Sequence, residues 1–149
     1  MGNKATTCSR IQQSWYAINR MYNNEAVNHE LTTTTGFILL NIDGEKGTPS
    51  TQIAPLLGME ATSLSRTMKQ LEERGIIKRK KDKQDARVVR INLTEKGKRK
   101  RDVSVKTVKD FNRIISEKYT TEELEKFHEM LEEITAIAVQ TKFNNAQTA

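Results

Sequence analysis

Apolar residues recur along this chain with two different periods, and the change of period marks its organisation. Between residues 8 and 28, Ile11, Trp15, Ile18 and Tyr22 are spaced three and four apart, with Met21 beside them, as on one face of a helix. A run of threonines, Thr32 to Thr35, follows Glu30-Leu31; such a run suits a helix start better than a helix interior. Phe37, Ile38, Leu40 and Ile42 then predict a short buried helix ending at Asp43-Gly44, and residues 45–49 read as a loop. Ser50 is the expected cap of another short helix, which Gly58 stops and Pro55 bends. Beyond Ala61, Leu64, Met68 and Leu71 fall at i, i+4 and i+7. Thr62, Arg66, Lys69 and Glu73 take the opposite face, and Gly75 ends this helix in the left-handed conformation.

The period then shortens to two. Ile76-Ile77 runs into the basic segment Lys78-Arg79-Lys80-Lys81, and a polar, turn-prone Asp82-Lys83-Gln84-Asp85-Ala86 follows. Val89, Ile91 and Leu93 alternate with Val88, Arg90 and Asn92, as in a half-buried strand. Helical spacing returns after Thr94. Val103, Val105, Val108, Phe111, Ile114 and Ile115 supply the apolar side of a helix over 96–118, with Lys98 to Arg101 expected outside it. Thr120 and Glu123 are spaced as a capping box for a last helix striped by Leu124, Phe127, Leu131, Ile134, Ile137 and Ala138. Residues 144–149 read as a frayed tail.

Two short helices around a glycine-containing turn form a helix-turn-helix pattern, whose second helix enters the DNA major groove. A hairpin directly behind that helix is a wing. The predicted fold class is therefore mainly α with a small β-hairpin wing, a winged helix-turn-helix flanked by terminal helices. Thr62, Ser63, Ser65 and Arg66 lie where side chains reach base edges, with Lys69 one turn further and Ser50 and Thr51 at the start of the preceding helix. Lys81, Lys83, Asp85, Arg87 and Arg90 are the wing candidates.

These residues resemble the MarR-type winged-helix transcriptional regulators. Three strings carry the likeness: Thr62-Ser63-Leu64-Ser65-Arg66, Leu71-Glu72-Glu73-Arg74-Gly75-Ile76-Ile77-Lys78-Arg79, and Asp82-Lys83-Gln84-Asp85-Ala86-Arg87 with Leu93-Thr94-Glu95-Lys96-Gly97 behind it. The family's wing usually reads D-x-R-D-x-R; here Gln84 stands in place of the middle arginine, while Asp85 and Arg87 match. The resemblance implies a homodimer built from residues 1–30 and 98–149, with a DNA-binding region over 31–97 that reads a pseudo-palindromic double-stranded operator. It also implies a small-molecule effector, aromatic or phenolic, that releases a repressor. That effector would sit where Trp15, Ile18, Tyr22 and Phe37 meet, with Arg10 or His29 at the edge.

Charge agrees with a polyanionic partner. The formal net charge is +6. Its distribution says more: lysine or arginine fills half of positions 78–101, whereas 117–133 leans acidic. Apolar stripes on the terminal helices exceed what one small winged helix covers, which independently predicts a partner chain.

Catalytic chemistry is not in view. There is no G-x-S-x-G, phosphate-binding glycine loop or H-E-x-x-H, so no enzyme activity and no cofactor are expected. His29 and His128 have no ligand spacing around them, so no metal is expected. No apolar run reaches membrane-spanning length, Met1 to Thr7 lacks an apolar signal core, and a cytoplasmic location is expected. Cys8 is the sole cysteine and cannot form an intrachain disulfide. In some members of the family a lone cysteine near this place, hydrogen-bonded by tyrosines, senses peroxide. Tyr22 falls near one such tyrosine position, but Thr33 stands at another. Redox regulation through Cys8 is thus one alternative; a non-specific nucleic-acid module, or a wing that binds protein, are the others.

Overall fold

The structure, a computed structural model, describes residues 5–142. The expected tail over 144–149 lies outside them. Among the described residues, six helices and three short strands follow in the order α1 (Thr7–Val27), α2 (Thr33–Leu40), β1 (Thr48–Pro49), α3 (Ser50–Leu57), α4 (Ala61–Glu73), β2 (Ile77–Lys81), β3 (Val89–Leu93), α5 (Glu95–Ser116) and α6 (Thr121–Gln140). The strands form one antiparallel sheet in the order β1-β3-β2, with Ile77 opposite Leu93 and Lys81 opposite Val89.

Local chemistry explains most boundaries. Thr6 caps α1 by accepting from the Ser9 amide. The threonine run resolves into a reciprocal box: Thr32 Oγ1 accepts from the Thr35 amide, and Thr35 Oγ1 accepts from the Thr32 amide. Thr120 and Glu123 form the same device at α6. At the end of α4, Gly75 has φ 64°, the Gly75 amide donates to Glu72 O and the Ile76 amide to Leu71 O. These two bonds form a Schellman motif.

The buried apolar core lies within residues 31–93. Ile38, Leu39 and Ile42 from the α2 region meet Ile53 of α3, Leu64, Met68 and Leu71 of α4, and Ile76, Ile77, Ile91 and Leu93 around the sheet. The chain divides into two compact units, one running through Val108 and the other beginning at Lys109. The first therefore holds α1 and the start of α5 as well as the winged helix. In the second, α6 has no buried residue.

Several expectations need correction. Residues 45–49 are not all loop, because Thr48 and Pro49 pair with Ile91 and Arg90 as β1. Thr48 Oγ1 accepts from the Asp43 amide and donates to Asn41 O, and proline is tolerated because the strand is at the sheet edge. Ser50 is the first residue of α3 rather than its cap; Pro49 holds the cap position without a side-chain hydrogen bond. Val89 is exposed although its alternates Ile91 and Leu93 are buried, because that end of the hairpin extends past the core. Lys100 and Arg101 do not stay clear of the packed side of α5. They are half-buried, with Lys100 Nζ donating to His29 O at 2.6 Å. Among the described residues no helix is long and apolar enough to cross a membrane.

Candidate nucleic-acid interface

The core determines which side of α4 faces outward. Leu64, Met68 and Leu71 are buried, so the 3.6-residue period leaves Thr62, Ser63, Ser65, Arg66 and Lys69 exposed. Among the described residues Arg66 has no ion-pair or hydrogen-bond partner. Lys69 Nζ lies 3.9 Å from Glu73, a loose exposed contact worth little in solvent. Thr51 is exposed at the start of α3 and Ser50 is half-exposed beside it.

The wing is organised around Asp82, which the sequence placed in the turn and at the head of the wing string but gave no role. Its Oδ1 accepts from the amides of Gln84 (2.7 Å) and Asp85 (3.0 Å), which closes the tip. Its Oδ2 pairs with Arg90 Nε. The Arg90 side chain and these two amides hold the Asp82 carboxyl down to a pKa of about 2, with the arginine hydrogen bond the largest cause. Arg90 NH1 also donates to Gly47 O at 3.0 Å. This corrects the placing of Arg90 among outward cations, since its guanidinium is half-buried and ties the wing to the turn before β1.

Asp85 and Arg87 form a bidentate pair, Nε to Oδ1 at 3.0 Å and NH2 to Oδ2 at 3.1 Å. The Arg87 amide donates to Asp85 Oδ1 as well, so the carboxylate orients both the backbone and the guanidinium of Arg87. These bonds lower the Asp85 carboxyl pKa and raise that of Arg87. The Arg87 side chain remains 91% exposed. Lys81 and Lys83 are exposed near the same tip, and Gln84 is exposed with them.

The wing is also bolted to α4. Arg79 of β2 donates to Glu72 at 3.1 Å. Thr94 Oγ1 donates to Gly75 O at 2.7 Å, and Lys96 Nζ donates to Arg74 O at 3.0 Å. Gly97 makes this junction possible, because a Cβ there would stand 2.0 Å from Ile76 O. None of these ties was legible as such, since each joins residues whose proximity depends on the fold.

A small, mainly apolar cavity of about 40 Å³, partly open to solvent, lies between α1, α2 and the first half of α5. Tyr22 and Phe37 are in its wall; Trp15, Ile18 and Arg10 are not. Trp15 instead stacks on Phe37 at 6.1 Å, and Tyr22 meets the same ring edge-on at 5.8 Å. Ala26, Leu31, Thr33, Ser104 and Thr107 complete much of the lining, and burial raises the Tyr22 phenol. The signal for Ser104 and Thr107 was weak because they interrupt the valine pattern of α5. His29 lies in a separate open groove and contacts Glu25 at 3.5 Å. Cys8 is exposed at the second position of α1. It lies 14 residues, or roughly 21 Å along the helix, from Tyr22, so no bond joins them within one protomer. Thr33 Oγ1 is turned to Asn19 O. Among the described residues no group of three or more His, Cys, Asp or Glu side chains could hold a metal.

A helix pair with an outward polar face, backed by a basic hairpin and tied to it, defines a winged helix-turn-helix protein. Residues 31–89 match the model of the MarR family, whose members are transcriptional regulators rather than enzymes. The chain is similar to the HTH-type transcriptional regulator TtmR of Methylorubrum extorquens (strain PA1), 32% identical over 91 residues, covering 61% of this chain and 47% of TtmR. The match thus spans about half the length of that relative. A crystal structure of the transcriptional regulator SlyA superposes with a TM-score of 0.77 at 25% identity, over 89% of this chain and 94% of that one. CouR of Rhodococcus jostii RHA1, bound to p-coumaroyl-CoA, gives a TM-score of 0.77 at 21% identity, over 91% and 94% of the two chains. The repressor CouR on a 23-mer DNA duplex gives 0.73 at 21%, over 87% and 92%. At that identity CouR supports the shared fold.

Proposed function

We propose that the chain is a homodimeric, sequence-specific DNA-binding regulator, a repressor released from a pseudo-palindromic operator by a small aromatic ligand. The observation that carries this reading is the unpartnered Arg66 on the exposed N-terminal half of α4, among Thr62, Ser63 and Ser65. An arginine with no internal partner keeps its planar fork available for guanine O6 and N7. Lys81, Lys83 and Arg87 supply the neighbouring wing with outward charge for phosphates or a narrow minor groove.

The dimer is supported by α1 and α6. Both are amphipathic in sequence, and neither has a single buried residue in the protomer. A two-fold pair would present two copies of α4 to matched half-sites. The effector reading is supported by the cavity, whose apolar wall carries the Tyr22 ring and a few hydroxyls, a lining suited to an aromatic molecule with one polar end.

The test is a titration of operator against scrambled DNA at physiological salt. The wild-type protein is expected to favour the operator. Arg66→Ala should lose about 1–3 kcal/mol of that discrimination while its sedimentation as a dimer is unchanged. Equal affinity of the wild type for both DNAs would make this a non-specific nucleic-acid module.

A further inference from the structure

The α1–α2 junction carries an unusual backbone. Glu30 has φ 56°, and it is the non-glycine residue with positive φ among those described. Side chains larger than glycine rarely adopt that conformation, so something must hold it. Two cations do. Arg74 NH2 donates to Glu30 O at 2.6 Å, and Lys100 Nζ donates to His29 O at 2.6 Å while lying 3.4 Å from Glu30 Oε2.

The partners of this junction lie in two directions. Leu31, Thr32 and Thr33, the next residues along the chain, are in the wall of the apolar cavity. Arg74 caps the C-terminal end of α4, and its own carbonyl is held by Lys96 Nζ at 3.0 Å. One peptide group is therefore joined covalently to the cavity wall and by a short charged hydrogen bond to the recognition helix. A push on Leu31 moves the Glu30 carbonyl with it, because the two share one peptide group, and the charged hydrogen bond passes that movement to Arg74.

We propose that Arg74 is a positioning residue that couples occupancy of the cavity to the orientation of α4. A group filling the cavity presses on Leu31–Thr33 and displaces the Glu30 carbonyl. Arg74 carries that displacement to the end of the helix whose other end holds Arg66. Lys100 holds the same junction without touching α4, so it steadies the junction and does not transmit. The proposal rests on the reading that α4 binds operator DNA.

A double-mutant cycle tests it without an identified ligand. Thr107→Leu adds bulk inside the cavity, where Thr107 is a wall residue. Arg74→Met removes the donor but keeps most of the stem, at an exposed position. With Arg74 present, Thr107→Leu is expected to change operator affinity about tenfold, within the usual range of coupling between sites. In the Arg74→Met background the same substitution should change it less than twofold, and Arg74→Lys, which can still donate, should restore part of the effect. Lys100→Met should leave the tenfold response in place.

An equal response to Thr107→Leu with and without Arg74, or no response in either, overturns the coupling role. The DNA-binding reading is judged separately, by the operator-to-scrambled ratio of each protein. Hydrogen exchange on Arg74→Met alone gives a second readout. Amides of residues 31–33 and 75–76 should both exchange faster, and unchanged protection at 31–33 would show that Arg74 does not reach the cavity wall.

Discussion

Gly97→Ala tests the joint on which the wing depends. The added Cβ would stand 2.0 Å from Ile76 O, and 3.1 Å from the carbon of the same carbonyl. Real contacts of this kind do not fall under 3.0 Å, so backbone must move by about 1 Å. Ile76 O cannot simply retreat. It accepts from the Thr94 amide at 3.1 Å and shares the Thr94 hydroxyl hydrogen, also at 3.1 Å, with Gly75 O. Overpacking against an unyielding partner costs roughly 1–3 kcal/mol. Weakening one of the Thr94 bonds adds about 1 kcal/mol. A total near ~3 kcal/mol corresponds to a fall in Tm on the order of 10 °C for a chain of this size. Gly44→Ala is the matched control, because a Cβ there meets nothing within 4 Å and its backbone needs no glycine. Thermal melts of the two variants, followed by circular dichroism, give the comparison. A Gly97→Ala protein melting within about 2 °C of Gly44→Ala would refute the claim that this contact cannot relax. DNA affinity should fall together with stability, since the joint holds α4 to the base of the wing.

Other outcomes follow from the wing. Arg87→Ala should weaken operator binding and reduce the slope of log affinity against log salt by about 0.9 per lost phosphate contact, with Tm nearly unchanged; an unaltered slope in a salt titration would remove Arg87 from the interface. Asp85→Ala should also weaken binding, because the carboxylate orients Arg87, whereas charge alone predicts tighter binding; measured affinities decide by sign. Asp82 titrates near pH 2 when folded, below an ordinary aspartate near 4, so its contribution to stability is present above pH ~4 and lost as pH falls through about 2. The Tm difference between wild type and Asp82→Asn should therefore be largest above pH 4 and shrink on acidification; a difference constant from pH 5 to 2 would show that the Asp82 charge is not what holds the wing.

Much of this protein was legible in the order of its residues, wherever the determining interaction is local. Leu64, Met68 and Leu71 set the buried face of α4 by spacing alone, and that settled which side Arg66 and Lys69 occupy. Gly75 and the Thr120–Glu123 pair act within a few residues of themselves, so the helix boundaries they make could be read directly. Leu39 escaped, because α2 is buried on most of its surface and shows no single stripe.

What only the tertiary structure decided is where the long charged side chains go. Arg90 and Arg87 sit three residues apart in one basic segment, yet one is turned onto Asp82 and Gly47 O and the other stands in solvent. Lys100 and Arg99 are sequence neighbours in the same lysine-arginine run, but Lys100 reaches back 71 residues to a backbone carbonyl. Arg74 spans 44 residues to the strained peptide at Glu30. Flexible side chains of this kind have no period of their own. Their partners are carbonyls and carboxylates that become neighbours only when the apolar faces have packed, because burial of those faces drives the fold and the cations then take whatever acceptors it leaves within reach.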